Sequence, residues 1–364
     1  MKIQKNKIAY YTVSSLNHNT GVYFKIAGLL DAARNMGYDT ELIDKPRVKF
    51  WDFVLLYCDF ISNDAKYIFL RDIHSWQMMF AYPFLIICRL QNKVLINDIP
   101  TPCRAALVEI SKNERTPCFL RFIKKLLLYL KGPIPYWFFN KIIQYGNEGT
   151  YFSFGNRHKT VMLGNGIEKD RVCLRGKDYL KHNDELHLLG VANLQVSHGY
   201  DRIVRAISIW NSDNNYKVFF HLVSGNAAPP VLESIKQLVK DNNTEKYVVF
   251  EPSKNTSQLN EMYGLCDIAV GAIGIHRVGL AQSSALKLRE YCLAGIPFIY
   301  SGLDPDFQTD LPFCFQISND DSIDDILKVF SVFPKKRKTF TDEDIRQYAI
   351  DNLNYTKKLQ RLGF

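Results

Sequence analysis

Residues 267–301 read strand, cationic loop, helix, strand, an order that neither an all-α nor an all-β architecture accommodates. The run 267–271, DIAVG, has the length and apolarity of a buried strand, and His276 and Arg277 sit in the loop after it. Ser283 or Ser284 has the chemistry of an N-cap. The helix that follows carries Lys287, Arg289 and Glu290, and Gly295 with Pro297 ends it before the strand 298–301. Such a passage places unpaired first-turn N–H groups, at the positive end of a helix dipole, beyond the carboxyl end of a strand. That is an anion site, and a nucleotide diphosphate is the biological anion that suits it.

The same alternation runs through the chain. A strand over 8–13 enters a polar loop, 14–21, and a helix over 22–36 that Gly37 ends before a strand at 40–43. Runs 53–57 and 93–96 read as further strands, with an apolar helix over 75–90 between them. The second half repeats the pattern, with strands at 186–191, 217–223 and 246–250 and helices at 202–212, 231–240 and 259–265. Thr341 with Asp344 makes a capping box that opens a last helix over 342–362. At 364 residues the chain exceeds one ordinary core and suits two doubly wound α/β domains. Ligands gather beyond the carboxyl ends of strands in such sheets, which marks Asp98 and Thr101 in NDIPTPC and Gly225 in SGN.

Composition narrows the class. The longest uncharged run around Trp76, residues 73–88, contains Pro83 and is shorter than the ~20 residues needed to span a bilayer. The N-terminus reads as a lysine-flanked strand without a signal-peptide core, and the eight cysteines form no C-x-x-C pair. Reduced core thiols in a cytoplasmic protein are the expectation. All of the net charge of +9 lies in residues 1–170, which hold 23 Lys+Arg against 14 Asp+Glu; the remainder is balanced at 23 against 23. The first half therefore prefers an anionic partner.

Residues 115–147 carry six basic side chains and no acid, interleaved with Phe, Leu and Trp. Arg121, Lys124 and Lys125 give a basic amphipathic helix, and Trp137 lies in an aromatic second part after Gly132-Pro133. A segment of this kind suits an anionic membrane surface at about 1 kcal/mol per nearby Lys or Arg. The alternative is an ordinary helix packed on the sheet with its lysines in water. Nucleic acid is disfavoured, because base-stacking motifs are missing from the basic stretch.

The stretch ALKLREYCLAGIPFI, residues 285–299, resembles the donor-site helix of retaining GT-B glycosyltransferases of the glycogen-synthase-like group. It is most similar to bacterial capsule, exopolysaccharide and O-antigen enzymes. The loop before and through Gly21, the NDIPTPC stretch with Asp98 where the family has Glu, and the LGNGIE turn at 163–168 also resemble that family. The resemblance implies two Rossmann-like domains facing a cleft: 1–168 for the acceptor, 169–345 for the donor, and 346–364 as a terminal helix crossing back to the first domain. It implies transfer of a sugar from a UDP- or GDP-linked donor to a saccharide or polyprenyl-diphosphate-linked acceptor, without metal or other cofactor, at the inner face of the cell membrane. Arg277, Lys287 and Asp98 become the expected catalytic residues. Gly21, Asn193, His198, Gly225, His276, Gln282, Ser284, Ala285, Leu286 and Glu290 become the expected donor site, with Glu290 accepting from the ribose hydroxyls.

The resemblance breaks at two places. The first of the family's two paired glutamates falls on Gln282, and the Arg and Lys that hold the diphosphate fall on Asn193 and His198. Arg277, with His276, is expected to take over part of the charge neutralisation. These departures keep a second reading open, a non-catalytic relative that binds nucleotide or lipid within a polysaccharide-assembly complex. A nucleotide-sugar epimerase or phosphorylase is a third, disfavoured by the apolar-basic surface of 115–147. Asp304-Pro-Asp306 has the spacing of a metal motif but reads as a loop.

Overall fold

The computed structural model describes residues 3–13, 21–45, 50–71, 81–99, 101–112, 116–176, 185–225, 229–307 and 310–364. The chain divides into two compact units, 1–166 with 355–364, and 167–354.

The first unit holds six strands: β1 (Gln4–Thr12), β2 (Asp39–Asp44), β3 (Ala65–Arg71), β4 (Val94–Ile99), β5 (Lys141–Gln144) and β6 (Thr160–Met162). All pair in parallel in the order β2-β1-β3-β4-β5-β6. Helices α1 (Gly21–Asn35), α2 (Phe50–Ser62), α3 (Tyr82–Leu90), α4 (Cys103–Lys112) and α5 (Cys118–Lys131) make the crossovers, and a 3-10 turn covers Ile134–Phe138. The sheet reverses direction of growth between β1 and β3, which is where a doubly wound sheet opens a crevice.

One expected strand is a helix. Residues 53–57 lie inside α2, whose Leu56, Tyr57 and Phe60 are buried while Trp51, Leu55 and Cys58 face out. A short apolar run does not reveal its own period; here the period is 3.6. The strand that was missed, β3, follows after Asn63-Asp64. Lys93, buried beneath α2, donates to the carbonyls of Ile61 (2.9 Å) and Asn63 (2.6 Å) and so closes the helix C-terminus.

The second unit holds β7 (Glu185–Ala192), β8 (Lys217–Ser224), β9 (Val248–Glu251), β10 (Ile268–Val270), β11 (Phe298–Ser301) and β12 (Cys314–Ile317). These too are all parallel, ordered β12-β11-β10-β7-β8-β9. This is the dinucleotide-fold order, with its switch point between β7 and β10. Helices α6 (Asp201–Asp213), α7 (Pro229–Asp241) and α10 (Asp324–Lys336) pack one face. Helices α8 (Thr256–Leu265), α9 (Leu286–Ala294) and α11 (Asp342–Asn352) pack the other.

The expected last helix is two: α11, opened by the Thr341–Asp344 capping box, and α12 (Tyr355–Arg361). The chain crosses between the units at the intervening Leu353-Asn354. Helix α12 packs on the first unit, burying Tyr355, Leu359 and Leu362 with Ile26, Leu29 and Leu30 of α1. A side chain on Gly166 would come within 2.4 Å of the Tyr355 ring, so the glycine of the LGNGIE turn makes room for the returning helix.

Candidate donor site and the buried cluster of the first unit

At the switch point of the second sheet, the loop after β7 and the loop after β10 are joined through their backbones. Ile273 donates to the carbonyl of His198 and Gly274 to that of Ser197, each at 3.0 Å. Gly199 has φ +66°, and a Cβ there would stand 2.7 Å from the Gly274 nitrogen. Two backbones meet where only glycine fits. Arg202, fully buried on α6, donates to the carbonyls of Ile273 (2.5 Å) and Ser322 (3.0 Å) and ties both loops to the turn before α10.

The expected donor residues form three groups around this frame. The first surrounds the start of α6. His198 accepts the Gln195 N–H at Nδ1 (3.0 Å), which in a neutral ring leaves the proton to Nε2. Burial pushes its pKa below the ordinary value, and His198 offers a neutral donor, not a cation. Arg277 is forked onto Asp201 (2.7 and 2.8 Å) and also donates to Asp321 (Nε, 2.8 Å), which His276 approaches at 3.2 Å. The hydrogen bonds to Asp201 hold the guanidinium's proton tightly. Burial opposes ionisation of Asp201, but Arg277 and Arg205 outweigh it and keep the carboxyl below its usual range. His198, Asp201, Arg205 and Arg277 line a cleft of about 510 Å³ together with Val231, Ile235 and Leu238 of α7.

The second group surrounds the start of α9. Neither expected serine is the N-cap of that helix: Ala285 is, and it has no polar side chain to cap the first turn. The reason lies in Leu303. It donates to the Ala281 carbonyl (2.9 Å) and accepts from Ser283 (3.0 Å), and it bridges Gln282. Residues 281–283 are thereby held extended, and the helix begins later. Ser284 is buried, Ala285 and Leu286 follow it, and Lys287 reaches Glu290 at 2.7 Å while Arg171 lies 3.9 Å from the same carboxylate. The third group is at the ends of β7 and β8, where the exposed Asn193 turns its Oδ1 to within 2.8 Å of where a Gly225 side chain would begin.

Sequence reasoning missed Arg289. It is fully buried, pairs with Asp304 through two 2.6 Å bonds and with Asp306 at 2.5 Å, and stacks 4.8 Å from the Phe307 ring. Both carboxylates of Asp304-Pro-Asp306 are thus committed to a guanidinium. Among the described residues no cluster of three or more His, Cys, Asp or Glu is placed to hold a metal ion. The one local signal was an Arg among apolar residues of α9; its partners stand 15 and 17 positions on, beyond β11, where no spacing rule points to them.

In the first unit Asp98 lies at the end of β4 and is 1% exposed. It accepts from Tyr10 (2.5 Å) and Lys25 (3.1 and 3.3 Å), with Arg71 at 3.9 Å. Burial disfavours its charge, yet Lys25 and Arg71 hold the carboxyl below the usual range. Burial takes Lys25 down to about 8 although Asp98 opposes the shift, and its ammonium sits 3.6 Å over the Tyr145 ring. The structure therefore places Asp98 inside a buried charge cluster at the switch point, where its carboxylate holds side chains from β1, β3 and α1. Gly21 is the exposed first residue of α1; His18 and the rest of loop 14–20 lie outside the described residues.

Helix α5 turns its apolar residues outward. Phe119 (71% exposed), Phe122 (63%), Leu126 and Leu130 face solvent beside Lys124, while Leu128 and Lys131 are buried. As in the alternative of an ordinary packed helix, Leu128 packs with Ala106 and Phe152 and Lys124 is in water, but the larger apolar side chains share the exposed face with it. Trp137 is half-exposed, donates to the Phe154 carbonyl (3.0 Å) and lies against Gly155. Arg121 donates to the Ser111 carbonyl at 3.0 Å, and Lys125 is half-buried. Among the described residues no helix is long and apolar enough to cross a membrane. None of the eight cysteines, all among the described residues, is in a disulfide; five are buried and Cys58, Cys118 and Cys173 are exposed.

Neither a protein-family model nor a curated protein matches the chain by sequence. Solved structures match its fold along almost the whole length. Sucrose-phosphate synthase from Thermosynechococcus elongatus aligns with a TM-score of 0.67 at 13% identity, over 99% of this chain and 98% of that one. Anabaena HepE, crystallised with UDP and glucose, aligns with a TM-score of 0.64 at 12% identity over 98% of each chain. WaaG, a glycosyltransferase involved in lipopolysaccharide biosynthesis, aligns at 0.56 and 12% identity, over 97% of this chain and 98% of that one. The chain has the two-domain α/β fold of GT-B glycosyltransferases.

Proposed function

We propose that this protein is a retaining, metal-independent glycosyltransferase that moves a sugar from a nucleotide-sugar, UDP- or GDP-linked, to a lipid-linked saccharide in bacterial surface polysaccharide synthesis. The observation that carries the reading is the start of α9: a helix N-terminus with no side-chain cap, opening at the carboxyl edge of a dinucleotide-order sheet, with Lys287 in its first turn. Charge builds on the leaving diphosphate as the glycosidic bond breaks, and preorganised donors aimed at it supply the largest catalytic effect. The N–H groups of Ala285, Leu286 and Lys287, the Lys287 ammonium and the His198 Nε2–H are those donors. Glu290 takes the ribose hydroxyls once Lys287 turns from it to phosphate. Gln282, Ser284, Asn193 and Gly225 line the sugar and nucleotide, and Asp98 fixes the acceptor side of the first unit through Lys25 and Arg71. Arg277 joins the phosphates by exchanging Asp321, which is exposed, for the incoming anion while Asp201 keeps its grip.

The outward apolar face of α5, with Arg121, Lys124, Lys125 and Trp137, is the surface on which the protein rests on anionic lipid in the cytoplasm and meets a polyprenyl-diphosphate-linked acceptor. A second set of exposed apolar side chains, Trp51 and Leu55 on α2 with Ile86, Ile87 and Leu90 on the contacting α3, offers further surface of the same kind. The reading is tested by incubating the protein with a panel of nucleotide-sugars and anionic vesicles containing polyprenyl-diphosphate saccharide, and following sugar incorporation into lipid. Incorporation in EDTA with the donor's anomeric configuration kept is the expected result. Binding of nucleoside diphosphate without any turnover would favour the non-catalytic alternative, for which the neutral Asn193 and His198 speak.

A further inference from the structure

Arg289 sits on α9 between Lys287 and Glu290, yet it faces the opposite way, into the core. Its bonds close a ring through the chain. The guanidinium grips Asp304 and Asp306, which fixes the loop 302–307. That loop presents Leu303, whose backbone clamps Ala281 and Ser283 in both directions. The clamped segment runs into Ala285, the N-cap residue, and Arg289 Nη1 donates to the Ala285 carbonyl at 3.2 Å. Tyr348 of α11 adds a further bond to the Asp306 carbonyl (2.5 Å), and Phe307 stacks on the guanidinium. Ordinarily a side-chain cap fixes where a helix begins. Here a buried guanidinium reaches the N-cap carbonyl instead, and the N-cap residue supplies no side-chain cap.

We infer that Arg289, with Asp304, Asp306 and the Leu303 clamp, is the positioning device of the phosphate-binding helix start: it sets the direction of the Ala285–Lys287 amides without touching the ligand. The inference rests on the transferase reading above. A planar two-pronged donor suits the task, because it can hold two carboxylates and a carbonyl in one fixed geometry, which an ammonium cannot. A site whose donors must point at a developing charge loses binding when its support shifts by a fraction of an ångström.

The test uses the full chain and UDP and GDP as probes, with affinity measured by titration calorimetry well below the melting temperature. Two variants are compared with wild type: Arg289→Lys, which keeps the charge but not the fork, and Leu303→Pro, which removes the N–H that clamps Ala281 at an exposed position. Both are expected to bind the preferred diphosphate at least tenfold more weakly, with unchanged far-UV circular dichroism. A residue that only supports the fold would lower the melting temperature and leave the affinity of the folded protein intact. Wild-type affinity in Leu303→Pro, and in Arg289→Lys if that variant folds, overturns the inference. Absence of binding by the wild type to either probe instead overturns the transferase reading, so the two failures are distinct.

Discussion

Replacing Gly199 by Ala tests whether the two switch-point loops depend on backbone contact. Two penalties add at this position. At φ +66° an L-residue costs roughly 1–2 kcal/mol relative to Gly. The new methyl would also stand 2.7 Å from the Gly274 nitrogen and 2.9 Å from its Cα, both backbone atoms with no rotamer to yield. Relieving that overlap means separating the loops and weakening the Ile273–His198 and Gly274–Ser197 hydrogen bonds, each worth about 1 kcal/mol net and more if a buried group is left unpaired. The expected loss is about 3–4 kcal/mol. Two substitutions supply the scale. Gly37→Ala has φ +90° but open space around the Cβ and should cost about 1–2 kcal/mol. Gly264→Ala lies inside α8 with nothing nearby and should stabilise by about 0.5–1 kcal/mol. Urea denaturation followed by far-UV circular dichroism reads all three. A Gly199→Ala no worse than Gly37→Ala would refute the close-contact argument.

Three further outcomes follow from the same structure. Lys25 has a folded pKa of about 8 against 10.5 for the free side chain, so between those values the unfolded chain binds more protons and stability rises with pH. The gain should approach about 2 kcal/mol by a pH of roughly 9.5, and Lys25→Met should abolish it in urea titrations at pH 7 and 9.5. On α5, Phe122→Asp with Leu126→Asp touches only exposed side chains, so the melt should move little while co-sedimentation with anionic vesicles falls at least tenfold; unchanged sedimentation would remove α5 from the membrane surface. Arg277→Ala leaves Asp201 and Asp321 facing each other without their shared cation and should abolish sugar transfer while the far-UV spectrum persists; near-normal turnover would exclude Arg277 from the mechanism.

Much of the architecture was legible because strong signals agreed. The helix over 201–213 and the strand over 217–224 carry clean periods, and Gly295 and Pro297 mark the end of α9 as capping chemistry requires. Residues 53–57 misled because five apolar residues satisfy a strand and a helix equally, and only packing of Leu56, Tyr57 and Phe60 on one side decides. Strands β5 and β12, each four residues long, are too short to show alternation on their own, whereas β11, of the same length, was legible from the helix end that Gly295 and Pro297 mark before it. In the site, the start of α9 was misplaced by the serines, since the Leu303 clamp is non-local and leaves no mark near residue 283. Likewise the partners of Arg277 stand 76 and 44 positions away in the chain, and no spacing rule finds them. What the sequence names is which chemistry is present; what it hides is which charges are already spent.

The central claim is that the open start of α9 binds a nucleoside diphosphate. The most direct measurement is a thermal-shift series of the full chain with UDP, GDP, ADP, dTDP and CMP, each with EDTA or Mg²⁺, alongside Glu290→Ala and Lys287→Ala. A ligand present at about 100 times its dissociation constant stabilises by about 2.7 kcal/mol, well above detection. The account predicts that one nucleoside diphosphate raises the melting temperature in EDTA and that the rise disappears in both variants, whose own melts stay close to wild type. A flat response to every nucleotide, or a rise that survives in both variants, contradicts it.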